Sequence, residues 1–280
     1  MTGYDALRTR SAWVDLSARG KLKITGEDRA RLLHAMTTNH ILEMQPGDCR
    51  YAFFLNPQGR ILSDVWIVCR ADHFLLITEP ETRRKVYDHL DRYIIADDAQ
   101  VEDVTEQWSL ISIEGPQAGP QELPFTATGL PGGAMLIAPG ASAPLNLPDQ
   151  EADAEAARIV RLETGQPRYG EEITERFLVQ ETGQMQAVHF TKGCYLGQEI
   201  VERVRSRGQV HRHLRALRIE GEAVPPAGTK LLAGDKELGE LVTAVYSPGF
   251  QQVAAMAYVR TDAAKSGTEL ILEGRVARVM

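Results

Sequence analysis

The stretch HFTKGCYLGQEIVERVRSRG, residues 189–208, brings together the side chains of this chain best suited to chemistry. A thiol, Cys194, stands between Lys192-Gly193 and Tyr195, with the amide of Gln198 and the carboxylate of Glu199 close behind. A cysteine acts as a nucleophile or metal ligand only as the thiolate, so neighbouring charges and dipoles decide its use. Ala187, Val188 and Phe190 read as the end of a strand that breaks at Lys192-Gly193. Leu196 with Ile200, and Val201 with Val204, have the three- and four-residue spacings of an amphipathic helix. Gly208 is placed to end that helix, with Arg203, Arg205 and Arg207 near its negative pole. This pattern predicts Cys194 at or just before the first helical turn, where free N–H groups, the dipole and Lys192 would favour a thiolate. Gly193 permits a tight turn or a ligand's close approach. A buried, inert cysteine fits the same position equally well.

Two further groupings bear on this stretch. His211 and His213 alternate on a following strand and could approach Cys194, although the sequence offers no third group to orient a Cys–His pair. Between Lys192 and Arg218 lie seven Lys or Arg residues and only two acids, Glu199 and Glu202. That excess is either a solvated basic face or a local anion site, for instance for the glutamate tail of a folate.

Lys192-Gly193-Cys194-Tyr195-Leu196-Gly197-Gln198-Glu199 resembles the K-G-C-[YF]-x-G-Q-E signature of the YgfZ family. Members are folate-binding proteins related to the aminomethyltransferase (T-protein) of the glycine cleavage system, and are associated with assembly or repair of iron–sulfur enzymes. One free position and one two-way choice in the pattern make the match specific. The segment GKLKITGEDRARLLHAMTTNHILEMQPGDCRYAFFLNPQGRILSDVWIV is similar to the opening of YgfZ and T-protein domains. Arg161-Leu162-Glu163-Thr164-Gly165 resembles an R-x-E-x-G element shared by both, so the likeness spans nearly the whole chain.

The resemblance implies an α+β, three-lobed T-protein-like fold around a central folate-binding hole, with ferredoxin-like α/β lobes and a C-terminal antiparallel β-barrel. It implies tetrahydrofolate or a derivative as ligand, Cys194 as functional thiol and Asp64 as a candidate general acid or base. It places Glu163 and Glu181 at the pterin, where a carboxylate accepts two N–H bonds in a fork. Lys192, Gly193, Tyr195, Gln198 and Glu199 would complete the site. Tyr195 could stack on a ring or fill the core, and Glu199 also suits a helix's positive end. The chain departs from the T-protein pattern at Gly59-Arg60-Ile61-Leu62-Ser63-Asp64. Ser63 replaces one of two adjacent aspartates and Arg60 the second of two glycines, which weighs against T-protein chemistry. Leu178-Val179-Gln180 replaces a proline-containing version before Glu181. The expected function is a folate-binding factor supporting iron–sulfur enzymes, with client enzymes or assembly factors as partners; the alternative is an aminomethyltransferase passing a one-carbon unit to tetrahydrofolate.

The elements that must position these residues are those of an ordinary globular chain. A length of 280 residues suffices for two or three subdomains with a substantial core. Cys49, Cys69 and Cys194 are odd in number and far apart, so neither a disulfide framework nor a stably bound metal or cluster is expected. The small-apolar reading suits Cys49 and Cys69 best. A net charge of −7 argues against general nucleic-acid binding. No apolar run reaches the roughly 18 residues of a membrane span, and the opening MTGYDALRTRSAWVDLS lacks a signal core, which makes the cytoplasm the default location.

Leu22 and Ile24 alternate as in a strand, and Thr25-x-x-Asp28 resembles a capping box opening a helix over Arg29–Met36. Three strands are expected between Gly47 and Thr78, with turns at Asn56–Gly59 and Arg70–Asp72. A helix follows over Glu81–Tyr93, then strands at Val101–Val104 and Ser109–Glu114, in an α+β rather than doubly wound order. The segment from Pro139 to Gln150 reads as a linker, and Glu151–Glu163 as a helix. Strands near Leu214–Ile219, Thr229–Leu232, Gly239–Tyr246, Gln252–Val259 and Glu269–Arg275 suit a small barrel. The expected division is residues 1–50 with 145–210 as a first lobe carrying the Cys194 stretch, 51–144 as an inserted ferredoxin-like lobe, and 211–280 as the barrel.

Overall fold

The computed structural model describes residues 2–139, 147–208 and 210–280, so the central part of the linker expected from Pro139 to Gln150 lies outside the described residues. In chain order the elements are α1 (Gly3–Thr9), β1 (Ala12–Asp15), β2 (Gly20–Thr25), α2 (Arg29–Met36), β3 (Cys49–Leu55), β4 (Ile61–Cys69), β5 (Phe74–Thr78), α3 (Arg83–Tyr93), β6 (Gln100–Asp103), β7 (Ser109–Glu114) and β8 (Gly132–Ile137). Then come α4 (Ala154–Thr164), α5 (Val179–Thr182), α6 (Gln198–Arg207), β9 (Arg212–Ile219), β10 (Lys230–Ala233), β11 (Lys236–Ser247), β12 (Gln252–Arg260), β13 (Glu269–Leu272) and β14 (Arg275–Val279).

An antiparallel five-stranded sheet, ordered β3-β4-β5-β2-β6, forms the first layer. Its outer face carries α2 and α3, whose Leu33, Met36, Val86 and Leu90 pack on Leu22, Ala52, Ile67 and Leu76. Its other face meets the three-stranded sheet β1-β7-β8 through Val68, Leu75, Ile77, Leu110 and Ala134. This double cover explains why Phe74–Thr78 is buried without alternation, and Phe53 and Leu55 of β3 are covered instead by Tyr169, Ile173 and Val179: a strand covered on both sides needs apolar residues at every position. α1 and α4 pack against β1 around Leu7, Val14, Ala157 and Val160. α4 then meets the barrel through Leu162, Leu214 and Met256.

The barrel closes antiparallel in the order β10-β11-β12-β9-β14-β13, leaving no free edge. The single strand expected over Glu269–Arg275 is two, because Glu273 and Gly274 turn with positive φ of 49° and 78° and fold β14 back on β13. The capping box expected at Thr25 does not form; Asp28 is the N-cap residue, and its carboxylate accepts from Asp98 N–H and Arg31 instead. Residues 80–82 are a 3-10 turn leading into α3. A boundary after residue 50 falls inside β3, and β2 is hydrogen-bonded between β5 and β6. Strand partners distant in sequence are set by packing, so composition offers no signal of this mixing. No helix among the described residues is long and apolar enough to cross a membrane.

Candidate functional site

Asp64 and Tyr51 lie on neighbouring strands, with Phe53 opposite Asp64 and Tyr51 opposite Trp66. Cross-strand partners share a face, so all four lie on the face away from α2 and α3. Asp64 is 8% exposed, and the Tyr51 hydroxyl donates to its Oδ2 at 2.9 Å. Burial, together with the nearby negative charge of Glu79, pushes the Asp64 carboxyl up to about 7. Tyr51 is raised well above an ordinary phenol by burial and by Asp64. Glu79 follows β5 and sits between two guanidinium groups, Arg19 at 2.8 Å and Arg168 at 3.0 Å, with Arg168 also held by Glu81 at 2.8 Å. Those two cations partly oppose the rise at Asp64. The face continues as an aromatic row: Tyr51 against Trp66 at 5.0 Å, Trp66 stacked on Phe125 at 4.9 Å, and Arg19 over Phe125 at 5.9 Å.

Arg19, Glu79 and Arg168 line a cleft of about 420 Å³ that α4 closes with Ala157, Arg158 and Arg161. A second cleft, of about 330 Å³, holds Phe177 stacked on Tyr258 at 3.7 Å, with Arg176, Arg212 and Glu240 around them. Glu171 lines both. Both volumes fall in the range of small-molecule sites, and flat aromatic faces beside carboxylates and guanidinium groups suit a planar ligand with N–H donors and an anionic tail.

Ser63 does not face Asp64's surroundings. Successive strand residues point to opposite faces, and the Ser63 hydroxyl donates to Thr82 Oγ1 at 2.8 Å on the α3 side. A side chain at position 63 therefore points to the α3 side and not at the Tyr51–Asp64 pair.

Glu163, expected at a pterin, is elsewhere. It accepts from the Tyr4 hydroxyl at 2.6 Å and the Ser247 hydroxyl at 2.5 Å, and pairs with Arg8 at 3.2 Å, tying α1 to the barrel. Neither cleft includes it, and neither includes Asp64 or Tyr51. The R-x-E spacing separates the two residues around the helix, since positions i and i+2 do not share a face. Arg161 takes the other direction, gripping the fully buried Glu172 with contacts of 2.7 and 3.2 Å. Glu181 accepts Leu178 N–H at 2.8 Å and pairs with Arg212 at 2.7 Å. It thereby orients Arg212, whose guanidinium lies over the Phe177 and Tyr258 rings, at the edge of the second cleft.

The Cys194 stretch differs from the expected strand and helix start. Met185–Ala187 is a 3-10 turn, and α6 begins only at Gln198, so Cys194 lies well ahead of the helix. Leu196 N–H bonds Ala35 O at 3.0 Å, and Gly197 takes a φ of +84°, which holds the chain off the helical path until that point. Gly193 has a φ of +98° with open space beside it, and Cys194 is exposed. Lys192 is 7% exposed, its ammonium donating to the carbonyls of His34 and Thr37. Tyr195 fills the core with Phe53, Leu55 and Val201 rather than presenting a stacking face. Glu199 is exposed and pairs with Arg203 at 2.6 Å, while Gln198 is half-buried at the start of α6. None of residues 189–199 lines either cleft.

Three of the seven basic residues have carboxylate partners among the described residues, Arg203 with Glu199, Arg205 with Glu202 at 3.4 Å and Arg212 with Glu181, whereas Lys192 and Arg215 donate to backbone carbonyls. His211 and His213 line a hollow with Arg260, Thr261 and Asp262, of which Cys194 is no part. Arg19, Tyr51, Glu79, Arg168 and Glu172 carried no spacing signal; only the three-dimensional pairing of β2, β3 and β5 with the 168–172 turn assembles them.

Gly197 docks this stretch on the β3–β4 turn. A Cβ there would lie 2.7 Å from Asn56 O and 2.9 Å from Leu55 Cβ. Gly197→Ala should cost on the order of 2–3 kcal/mol from the positive φ and the clash together. Urea unfolding measures this, and a loss below about 0.5 kcal/mol would show that the docking is not rigid.

Residues 2–120 match the family model described as the GCVT N-terminal domain, and residues 212–279 that of the glycine cleavage T-protein C-terminal barrel domain. The chain is similar to the aminomethyltransferase of Rubrobacter xylanophilus, 26% identical over 97% of this chain and 82% of the relative. It is 29% identical to the aminomethyltransferase of Streptomyces coelicolor, over 94% and 82%. A putative chloroplastic transferase of Arabidopsis thaliana is 25% identical over 94% and 68%. In fold it resembles the crystal structure of the glycine cleavage system aminomethyltransferase T from Bartonella henselae, with a TM-score of 0.83 and 19% identity over 99% of this chain and 87% of that one.

Proposed function

We propose, from the premise that this chain belongs to the glycine cleavage T-protein family, that it binds tetrahydrofolate and transfers a one-carbon unit to it, with Asp64 as the general acid or base. The observation that supports this most is the Asp64 carboxyl itself, buried, held by Tyr51 and raised to about 7. A group of that pKa is present in both protonation states near neutrality, as proton transfer at an amine requires. Tetrahydrofolate would supply the amines that accept the one-carbon unit. The chain's own residues would orient Asp64 through Tyr51, fix Arg19 and Arg168 through Glu79, and offer the Phe177–Tyr258 face and the Arg212 guanidinium for a ring and an anion.

A second reading rests on a different observation. Cys194 is exposed on a loop outside both clefts, where a thiol is accessible to a large partner. With the KGCYLGQE stretch, this favours a folate-binding factor of YgfZ type that supports iron–sulfur enzymes, its partners being those enzymes or their assembly factors.

Calorimetric titration of tetrahydrofolate into the wild type and Cys194→Ala tests the shared part of both readings. Equal binding by both is expected; absence of binding to either removes folate from the mechanism. Methylenetetrahydrofolate formation from an aminomethylated lipoyl carrier then separates them. Its detection supports the transferase. No formation, together with reduced iron–sulfur enzyme activity in Cys194→Ala cells, supports the thiol-dependent factor.

A further inference from the structure

Behind the Cys194 thiol lies a group of side chains that neither reading uses. The buried Lys192 side-chain nitrogen donates to His34 O and, at 2.7 Å, to Thr37 O at the C-terminal end of α2, two bonds that an uncharged amine can also make. His34 answers it: Nδ1 accepts Ile41 N–H at 3.2 Å, which assigns the proton to Nε2, and Nε2 donates to Lys192 O at 2.8 Å. Two backbone bonds complete the fastening, His189 N–H to Thr38 O at 2.9 Å and Leu196 N–H to Ala35 O at 3.0 Å.

Three imidazoles are in contact beneath this clasp. His34 packs edge-on against His40 at 4.7 Å, and His40 against His189 at 5.2 Å. The Nδ1 atoms of His40 and His189 are buried without a partner. The charges around the group are few. Lys192, His40 and His189 face His34; Cys194 and the Tyr195 ring, at 4.7 Å, face Lys192; the Arg50 guanidinium donates to His40 O at 2.5 Å. Among the described residues the cluster's carboxylate partner is Glu43, 3.8 Å from His40 Nε2 and with its side chain 77% exposed.

We propose that the Lys192–His34 clasp holds the Cys194 loop shut at alkaline pH and loosens it on mild acidification, when a proton on His34 Nδ1 displaces the Ile41 N–H bond and no buried carboxylate balances the added charge. Burial lowers Lys192 to about 7 and lowers His34 below an ordinary imidazole. Both are bases depressed in the closed state, so the open loop binds more protons, and closure is favoured above their ordinary values. The Lys192 contribution declines as pH falls from the ordinary lysine range to about 7. The His34 contribution declines below the ordinary imidazole value of about 6.5. The device is independent of whether the protein transfers one-carbon units.

The test is amide hydrogen exchange on the full chain, with rates divided by their intrinsic values at each pH. Between pH 8 and 5.5 the protection of the His189 and Leu196 amides should fall at least about tenfold, equivalent to one pKa unit of coupling, while β3 and β4 amides change less than threefold. Protection at those two amides that is flat with pH would overturn the proposal. His34→Gln removes the titrating imidazole whose neutral Nδ1 accepts Ile41 N–H, so the fall below pH 6.5 should shrink by at least half. An undiminished fall would overturn His34 as its source. Should that variant not fold, His34→Asn is read against the same criterion.

Discussion

Asp64→Asn is expected to lower one-carbon transfer by about 10²- to 10⁴-fold, the usual worth of a general acid or base, with tetrahydrofolate affinity changed only a few-fold. Activity within threefold of wild type would remove Asp64 from the chemistry. The pH profile of wild-type kcat/KM should bend near 7, the value to which burial and Glu79 raise Asp64. Glu79→Gln should move the bend downward, because it removes the negative charge that opposes ionisation. Stability gives a readout separate from activity. An acid with a raised folded pKa contributes stability that is complete below its ordinary value and is lost as pH rises through the folded value. Asp64→Asn should therefore be more stable than wild type at pH 8, with the advantage shrinking as pH falls through 7 toward the unperturbed carboxylate value of about 4. Thermal unfolding at pH 8 and pH 5 measures this; an advantage that grows on acidification contradicts the assignment.

Arg161→Ala should give the largest stability loss in the molecule. Glu172 has no exposed surface, and Arg161 meets both its oxygens, with Arg168 N–H at 3.0 Å and the Thr243 hydroxyl at 2.5 Å completing its bonds. Removing the cation strands a buried carboxylate, at a cost of about 3–5 kcal/mol. For a chain of this size that is a fall in Tm on the order of 10 °C. Arg161→Met combined with Glu172→Leu removes both charges and should recover most of the loss, because the penalty comes from the unpaired charge rather than from a missing attraction. A double variant no better than the single would show that the pair's geometry, which links α4 to the 168–172 turn and to β11, is itself what the fold needs. The same substitution bears on function, since Arg168 in that turn holds Glu79 beside Asp64.

Much of this architecture was legible in local pattern. The helices over Arg29–Met36 and the 83–93 segment, and the run of short strands after Gly208, follow from periodicity and turn residues because each is decided by residues close in sequence. The closed barrel follows from the same local pattern, since so many short strands need closure to lose their edges. The Cys194 stretch was legible as a motif but not as a conformation. Helical periodicity over Leu196–Val204 places α6, yet it does not register the positive φ at Gly197 that delays its start, and so it sets Cys194 too near a helix end.

The partnerships of ionisable groups were decided by tertiary structure alone. Glu163 and Arg161 are two residues apart on one helix, and the chain gives no local reason for one to hold the N-terminal helix and the other a buried glutamate. Lys192 reads as a solvent-facing cation beside a thiol, but the end of α2 offers it carbonyls and buries it. Ser63 and Asp64 read as an incomplete acid pair, and the pleat of β4 sends them to opposite faces. The sequence by itself determined most of the helices, the barrel strands and the likeness to the T-protein family, because those depend on spacing along one chain. Which carboxylate stays near neutrality, and which cation is locked away, depends on desolvation and on groups brought from segments as far as 158 residues distant, and only the packed fold supplies both.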